Sequence, residues 1–301
     1  MSTYERYLKP SVIQEVNRLD LKARFIVEGF LTGLHRSPYH GFSVEFSEHR
    51  RYVRGDSPRN VDWRLFGRTD RLYIKKFEAE TNLRCHLVVD ISASMDFSFG
   101  DGLSKLDYSI CLAAAMAHLL IKQQDPVGLV MVDDEVRMHL EPKAKQGHLI
   151  DLLAVLSRAE AKRPTRLGEC LRRAGGLFRG RGLILLFSDL FEEVGREGEV
   201  WDGLHELVWR GHEIILFHVL DAAEVHFPYK GQVNFTDKET GERITVDAEG
   251  VRKAYVARVE EFRKKWESDC GHARIDYVPL DTGTPFDKAL VSYLLKRKER
   301  F

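Results

Sequence analysis

Cysteines are few in this sequence and long hydrophobic runs are missing, and each shortage excludes a class of protein. The four cysteines show no Cys-x-x-Cys spacing, so neither a zinc site nor a disulfide framework is predicted, and Cys85 and Cys111 are expected to be reduced and buried. No apolar run reaches the roughly 18 residues that a membrane-spanning helix needs, and the amino terminus lacks the core of a signal peptide. We therefore expect a soluble, cytoplasmic protein with no membrane span.

An excess of charge of either sign is also missing, because 46 Lys and Arg residues balance 46 Asp and Glu residues. A neutral chain gives no electrostatic reason to expect nucleic acid or an anionic membrane as its partner. The arginines between residues 50 and 71 are interleaved with acidic residues such as Asp56 and Asp62, which favours internal ion pairs. Binding of nucleic acid is therefore not predicted.

Several catalytic and nucleotide-binding motifs are absent as well. The sequence has no Gly-x-Ser-x-Gly, no His-Glu-x-x-His, no Walker-A motif and no Gly-x-Gly-x-x-Gly after a predicted strand. The glycine-rich segment 175–182 precedes a strand pattern, so it is most simply a helix stop and a turn. These absences argue against serine hydrolases, zinc proteases and nucleotide-dependent enzymes.

From Leu87 onward, apolar strand patterns alternate with amphipathic helix patterns, which is typical of an open, mostly parallel α/β sheet with helices on both faces. Strands are predicted at Leu87–Ile91, Val127–Val132, Val136–Leu140 (antiparallel, at the sheet edge), Leu183–Ser188, Ile214–Val219 and Ala273–Val278. Helices are predicted at Leu106–Lys122, Gly147–Ala159, Leu167–Phe178, Val200–Arg210, Val251–Asp269 and Phe286–Arg297. Short alternating strands at Glu224–Val246 predict a β-hairpin or three-stranded insertion at about residues 223–247.

Residues 1–84 differ in character and predict an amino-terminal α+β region. Leu8–Leu34 has helical periodicity, and alternation in Phe42–Phe46 and Leu72–Phe77 predicts two strands, with a turn at Gly55–Pro58. We expect this region to pack on the main domain, residues 85–301.

The most informative stretch is Asp90-Ile-Ser92-Ala-Ser94, which directly follows the first buried strand pattern. Ligands of open α/β sheets bind where the carboxyl ends of the strands meet, so these side chains lie at a favoured binding edge. Two further oxygen donors are expected at the same edge, Thr165 near a helix start and Asp189 after a strand. Carboxylate and hydroxyl oxygens suit hard cations such as Mg²⁺, Ca²⁺ or Mn²⁺.

Each part of this set also has a plain structural interpretation. Thr165 could be a helix N-cap, and Ser188-Asp189 could be a capping or turn pair. The acidic run Asp133–Glu135 is most simply a solvated turn, with a second cation site as the alternative. The order and placement of the oxygen donors within one α/β pattern nevertheless favour a metal site.

The constellation resembles the metal-ion-dependent adhesion site of von Willebrand factor A domains, and the resemblance covers about residues 85–301. It implies that Asp90, Ser92, Ser94, Thr165 and Asp189 hold a divalent cation, usually Mg²⁺. Hydroxyls would bind the ion directly and carboxylates partly through water. An acidic residue of a protein partner would fill the open position.

Motifs on both sides of that loop resemble the domain of unknown function 58 family. The resemblance rests on Gly41-x-Ser-x-Glu-Phe46, Gly55-Asp56-x-x-Arg59-x-x-Asp62-Trp63-Arg64, Phe77-Glu-x-Glu80, Phe227-Pro228 and Glu239-Thr-Gly241. Such proteins are commonly encoded with MoxR-type AAA+ ATPases, which implies an adaptor or substrate-binding role in a chaperone-like system. Many relatives carry transmembrane helices, whereas this sequence has none.

The residues together favour a non-enzymatic, metal-dependent protein-binding or adaptor protein with no catalytic residue. A Mg²⁺-dependent phosphatase-like enzyme using Asp90 is one alternative, but that chemistry needs a second acid where Ser92 stands. A structural scaffold with an empty metal site is the other.

Overall fold

The computed structural model describes residues 44–51, 63–69, 71–79, 84–100, 102–193 and 195–284. The chain divides into two compact units, of which the smaller is Arg36–Leu83 and the larger includes Arg84–Phe301. The predictions for Leu8–Leu34, Gly55–Pro58 and Phe286–Arg297 lie outside the described residues. The packing of the amino-terminal region on the main domain stays a prediction.

The smaller unit contains two antiparallel strands and a short helix. Its elements are β1 (Val44–Arg51), α1 (Trp63–Thr69) and β2 (Tyr73–Ala79). The register places Val44 opposite Ala79 and Arg51 opposite Tyr73, with an irregularity between Phe46 and Glu48. Two strands were expected here, but β1 extends well beyond the predicted end at Phe46.

The larger unit alternates strands and helices along the chain. Its elements are β3 (Arg84–Asp90), α2 (Lys105–Lys122), β4 (Val127–Val132), β5 (Val136–Lys143), α3 (Gln146–Leu156), α4 (Leu167–Leu177), β6 (Gly182–Ser188), α5 (Glu197–Trp209), β7 (Glu213–Leu220), α6 (Ala222–His226), β8 (Gln232–Thr236), β9 (Arg243–Asp247), α7 (Ala248–Ala273) and β10 (Asp276–Asp281). A short 3₁₀ helix, Ala93–Asp96, follows β3.

Six strands form one sheet in the order β10-β7-β6-β3-β4-β5. All neighbours are parallel except β5, which runs antiparallel to β4 at the edge. The predicted mostly parallel α/β sheet is therefore confirmed. The chain passes from β3 to β4 on one side and later returns to β6 on the other, so the strand order reverses at β3. Such a reversal opens a crevice at the carboxyl ends of the strands, and Asp90 lies there.

Helices cover both faces of the sheet. On one face Val88 belongs to a buried cluster with Leu171 of α4, Leu204 of α5 and Trp266 of α7. Helix α2 contacts β3, β4, β6 and β7 and packs with α3 on the other face. Side chains are buried nearly all round α2, which explains why its sequence lacks a broad polar stripe. None of the four cysteines forms a disulfide and all are buried, as expected for Cys85.

Two boundary predictions are wrong. The last strand is Asp276–Asp281 rather than Ala273–Val278, because α7 continues to Ala273 and ends at Arg274 in the left-handed conformation, φ 58°. The predicted β-hairpin is confirmed as β8 and β9, and the three-stranded alternative is not, but the β structure starts at Gln232 rather than near residue 223. Residues 222–226 instead form α6, which Asp221 caps.

Helices α4 and α5 approach each other closely at two glycines. A Cβ atom on Gly168 would lie 2.4 Å from the carbonyl carbon of Glu199. A Cβ atom on Gly203 would lie 2.8 Å from the Cβ of Leu171. Only a residue without a side chain fits at Gly168, and this contact fixes the amino-terminal turn of α4, just after Thr165.

A buried histidine on β3 makes the fold sensitive to acid. His86 is 1% exposed and stacks on Phe178 with the ring centres 4.0 Å apart. Its Nδ1 has no hydrogen-bond partner among the described residues. Burial lowers the pKa of His86 from 6.5 to about 4, with smaller contributions from the positive charges of His212, His139 and Arg84.

Because the pKa of His86 is lower in the folded protein, we expect the free energy of unfolding to fall by roughly 2–3 kcal/mol as the pH drops from about 6.5 to about 4. The unfolded chain binds a proton to this imidazole first, so the contribution is fully present above pH 6.5 and is lost on acidification. Urea unfolding at a series of pH values checks this, with His86→Gln as the comparison. An equally steep loss of stability in both proteins would show that His86 is not its source.

Candidate functional site

Asp90 is held rigidly at the end of β3. The residue is 1% exposed. Its Oδ1 accepts a hydrogen bond from the Ser92 amide at 2.9 Å, and its Oδ2 accepts one from the Ser188 hydroxyl at 2.7 Å. The carboxylate is therefore fixed both by its own loop and by the neighbouring strand β6.

The two serines of the same loop bring their hydroxyl groups together. Ser92 is fully buried, Ser94 is partly buried, and their Oγ atoms lie 3.1 Å apart. Adjacent ligands of an octahedral Mg²⁺, with bonds of about 2.1 Å, are about 3 Å from each other. The spacing of the two hydroxyls therefore matches two neighbouring positions on one cation.

Thr165 lies in the loop before α4, which pairs with the serine loop through a hydrogen bond from the Ala93 amide to the Arg163 carbonyl at 2.6 Å. It is 5% exposed, and its Oγ1 has no hydrogen-bond partner among the described residues. A buried hydroxyl without a partner costs about 1–3 kcal/mol. The N-cap interpretation is wrong, because Arg166 occupies the N-cap position and the first amide of α4, that of Leu167, donates to Glu192 Oε1 at 2.6 Å. The Thr165 hydroxyl thus lacks a structural role in the described protein.

Asp189 is fully buried directly after β6. Its Oδ1 accepts a hydrogen bond from the Phe191 amide at 3.1 Å, and its Oδ2 lies 2.7 Å from the ammonium group of Lys105. Ser188 accepts a hydrogen bond from the Leu190 amide at 2.9 Å, so the turn interpretation of this pair is confirmed. The turn also leaves the Asp189 carboxyl close enough to Asp90 for its charge to raise the pKa of Asp90.

Lys105 and Glu224 belong to the site although the sequence patterns did not point to them. The Lys105 ammonium lies 2.8 Å from one carboxylate oxygen of Glu224. The other oxygen of Glu224 accepts a hydrogen bond from the Asp221 amide, as part of the capping box of α6. Burial alone would lower the pKa of Lys105, but the charges of Asp189 and Glu224 outweigh it and raise that pKa above its ordinary value. A lysine at the start of a helix that is apolar on nearly all sides was the available signal for a buried ion pair.

A further carboxylate comes from the connection between β8 and β9. The Thr165 amide donates a hydrogen bond to Glu239 Oε2 at 3.1 Å, while Glu239 Oε1 is buried and has no partner in the described part of the chain. A crevice of about 510 Å³ is lined by Ser94, Thr165, Lys105 and Glu239, among others. The hairpin connection therefore forms one wall of the site.

Negative charge exceeds positive charge in this crevice. Burial raises the pKa of Asp90 to about 7, and the charge of Asp189 adds to the rise. Burial also raises the pKa values of Glu224 and Glu239. Lys105 is the one cation that pairs with these carboxylates in the described structure. A divalent cation would relieve the repulsion, because an opposite charge favours the ionised form.

The donor set therefore fits a hard divalent cation. The structure brings all five predicted ligands to one edge of the sheet: Asp90, Ser92, Ser94, Thr165 and Asp189. No three His, Cys, Asp or Glu side chains of the described segments are grouped to hold a metal, so a cation at this edge would need hydroxyl oxygens among its ligands. Their role as metal ligands stays a prediction.

The acidic run between β4 and β5 has its own counter-charge. Asp133, Asp134 and Glu135 all form ion pairs with Arg137. Asp133 is 3% exposed, so the run is not simply a solvated turn. Arg137 supplies the positive charge that a second cation would otherwise supply.

Among the described helices, none is both long and apolar enough to cross a membrane. Solved structures to which the chain is similar include two from Bacteroides species. The conserved hypothetical protein BatB from Bacteroides thetaiotaomicron matches with a TM-score of 0.45 and 18% identity, over 72% of this chain and 99% of that one. An aerotolerance-related membrane protein from Bacteroides fragilis matches with a TM-score of 0.46 and 17% identity, over 71% and 99%.

Relatives are also found by sequence. Uncharacterized proteins of Mycobacterium bovis and Mycobacterium tuberculosis (strain H37Rv) are each 26% identical over 235 residues, which is 77% of this chain and 72% of theirs. The family model described as protein of unknown function DUF58 matches residues 48–265. Because this match spans well over half of the chain, the protein belongs to the DUF58 family.

Proposed function

We propose that the protein is a non-enzymatic binding protein that holds a divalent cation, Mg²⁺ foremost, at the carboxyl edge of its sheet and uses it to bind a carboxylate of a protein partner. The observation that carries this proposal is Thr165, whose buried hydroxyl has no partner among the described residues and which lines one crevice with Ser94 and an excess of carboxylates. A cation is the species that such an arrangement would satisfy.

The side chains divide the work between direct contact and support. Ser92, Ser94 and Thr165 would bind the cation through their hydroxyl oxygens. Asp90 and Asp189 would balance its charge, each orientated by the hydrogen bonds that its two oxygens already accept. When bound, the cation supplies a Lewis-acidic position for an incoming carboxylate.

The likeness to von Willebrand factor A domains, which rests on the same five residues, supports this role. A MoxR-type AAA+ ATPase is the partner that the family resemblance favours, in a chaperone-like system in the cytoplasm. An acidic residue on that partner or on its client would supply the carboxylate.

Catalysis is not part of the proposal. The position two residues after Asp90, where a phosphatase of the haloacid dehalogenase type needs an acid, holds Ser92, whose hydroxyl lies against Ser94. Both oxygens of Asp90 accept hydrogen bonds, which reduces its strength as a nucleophile. Sustained Mg²⁺-dependent phosphatase turnover that Asp90→Asn abolishes would contradict a purely binding role.

Thr165→Val separates a binding role from a structural one. The valine removes a hydroxyl that has no partner in the described part of the chain, so we expect the metal-free protein to unfold at an equal or higher urea concentration, with a gain of up to about 1 kcal/mol. Mg²⁺ affinity, measured by titration calorimetry, should fall by about tenfold or more. Thr165→Ser keeps the hydroxyl and should bind Mg²⁺ nearly as the parent protein does. If the parent protein binds no Mg²⁺, Ca²⁺ or Mn²⁺, the fold is a scaffold and the proposal fails.

A further inference from the structure

The connection between β8 and β9, which we call the hairpin tip (residues 237–242), is tied to the loops of the cation site. Glu239 Oε2 accepts a hydrogen bond from the Thr165 amide at 3.1 Å. The Lys238 ammonium lies 2.6 Å from the carboxylate of Asp96 and 3.2 Å from its carbonyl oxygen. One hydrogen bond therefore reaches the loop before α4, and the other reaches Asp96, at the end of the 3₁₀ helix that contains Ser94.

The tip has a defined conformation that directs Glu239 to one side. Asp237 Oδ1 accepts hydrogen bonds from the amides of Glu239 and Thr240, at 2.7 and 3.0 Å. Gly241 has a φ of +75° and donates its amide to the Asp237 carbonyl at 2.9 Å. Hydrogen bonds of this kind let a short turn hold its side chains in place. Glu239 is thus presented to the crevice by the backbone of the turn itself.

Two residues that line this crevice from different parts of the chain each have a buried oxygen without a partner in the described segments. Thr165 Oγ1 and Glu239 Oε1 both lack a hydrogen-bond partner among the described residues, and Thr165 is 5% exposed. Burial raises the pKa of Glu239, the Thr165 amide opposes the rise, and the charge of Asp189 adds to it. Buried polar atoms are nearly always satisfied, so a group bound in the crevice that both residues line would account for both oxygens.

We propose that Glu239 is a resident ligand of the cation, so that the chain's own hairpin tip fills the position a partner's carboxylate would take. The proposal rests on the proposed function, since it needs a cation at the site. A partner carboxylate then binds by displacing Glu239, so Glu239 and the partner compete for the same position on the cation.

The structure allows the tip to be displaced at low cost. Lys238 and Asp96 are 42% and 59% exposed, and an exposed ion pair contributes about 1 kcal/mol or less. An apolar cavity of about 480 Å³ lies beneath the hairpin, lined among others by Phe235, Val246 and Tyr255. Space under a two-stranded hairpin leaves room for the tip to shift while β8 and β9 stay paired.

Proton relaxation of water by bound Mn²⁺ tests the proposal on the full chain. Removing the Glu239 carboxylate from the ion opens a position for water, so Glu239→Ala at saturating Mn²⁺ should relax water protons faster than the parent protein. Sodium acetate, the simplest carboxylate, should reverse that gain. The acetate concentration that halves the gain in Glu239→Ala should leave the relaxation of the parent protein nearly unchanged, because Glu239 and not water holds the position there.

Glu242→Gln is the matched control, because Glu242 lies in the same tip and its side chain is exposed. It should behave as the parent protein in both measurements. If Mn²⁺ binds all three proteins and Glu239→Ala matches the parent in relaxation and acetate response, Glu239 is not a ligand and the proposed function survives. If Mn²⁺ binds none of them, both proposals are overturned.

Discussion

Lys105→Met is expected to lower the free energy of unfolding by about 3–5 kcal/mol in metal-free buffer at neutral pH, because it leaves two buried carboxylates without their counter-charge. The Lys105 side chain is 1% exposed, and its ammonium lies 2.7 Å from Asp189 and 2.8 Å from Glu224. The methionine fills the same space but carries no charge, so the loss is electrostatic rather than a loss of packing.

An exposed ion pair provides the matched control for that substitution. Lys162 lies 2.5 Å from Glu160, but the side chains are 70% and 67% exposed. Lys162→Met should change the free energy of unfolding by less than about 1 kcal/mol. Urea unfolding of both variants gives the comparison, and equal losses would mean that Lys105 does not neutralise the site. Because a divalent cation brings positive charge near Asp189, added Mg²⁺ should restore part of the stability of Lys105→Met.

Gly168→Ala should destabilise the protein by about 1–3 kcal/mol, the range for overpacking an interior. The added methyl group would meet the backbone of Glu199 at 2.4 Å, and neither helix has a flexible side chain there that could move aside. Helices α4 and α5 must separate, and the start of α4 moves with them. Since Thr165 lies just before that start, Mg²⁺ binding should weaken as well.

Gly176→Ala, in the same helix, should have the opposite effect. No atom lies within 4 Å of a Cβ at this exposed position, so the change gains helix propensity of about 1 kcal/mol without a clash. Thermal or urea unfolding of the two variants isolates the helix contact from the general effect of replacing glycine. Equal stabilisation of both would contradict the close approach at Gly168.

The sequence was most informative where local patterns coincide with burial. The strands β3, β4 and β6 are apolar on both faces, and residues such as Val88, Val130 and Leu185 are fully buried, so the runs are unmistakable. Because parallel strands end at one edge, the placement of Asp90 and Asp189 followed from the strand ends alone. The fold class and the edge of the site were predictable for the same reason.

Contacts between distant segments were not predictable in this way. Lys105 and Asp189 are 84 residues apart, and Thr165 and Glu239 are 74 apart, so no local period links them. The end of α7 was misplaced for a different reason. Its left-handed residue is Arg274 rather than the glycine that usually marks a helix stop.

The Lys105–Glu224 ion pair, which joins residues 119 positions apart, also bears on how the protein is made. During synthesis, Lys105 and Asp189 leave the ribosome well before Glu224 and the hairpin tip, and domains of this size generally fold as units. A nascent chain that stops short of Glu239 lacks part of the charge balance and one wall of the crevice. The protein would then become able to bind a partner only when the domain is complete, so the partner would not bind unfinished chains.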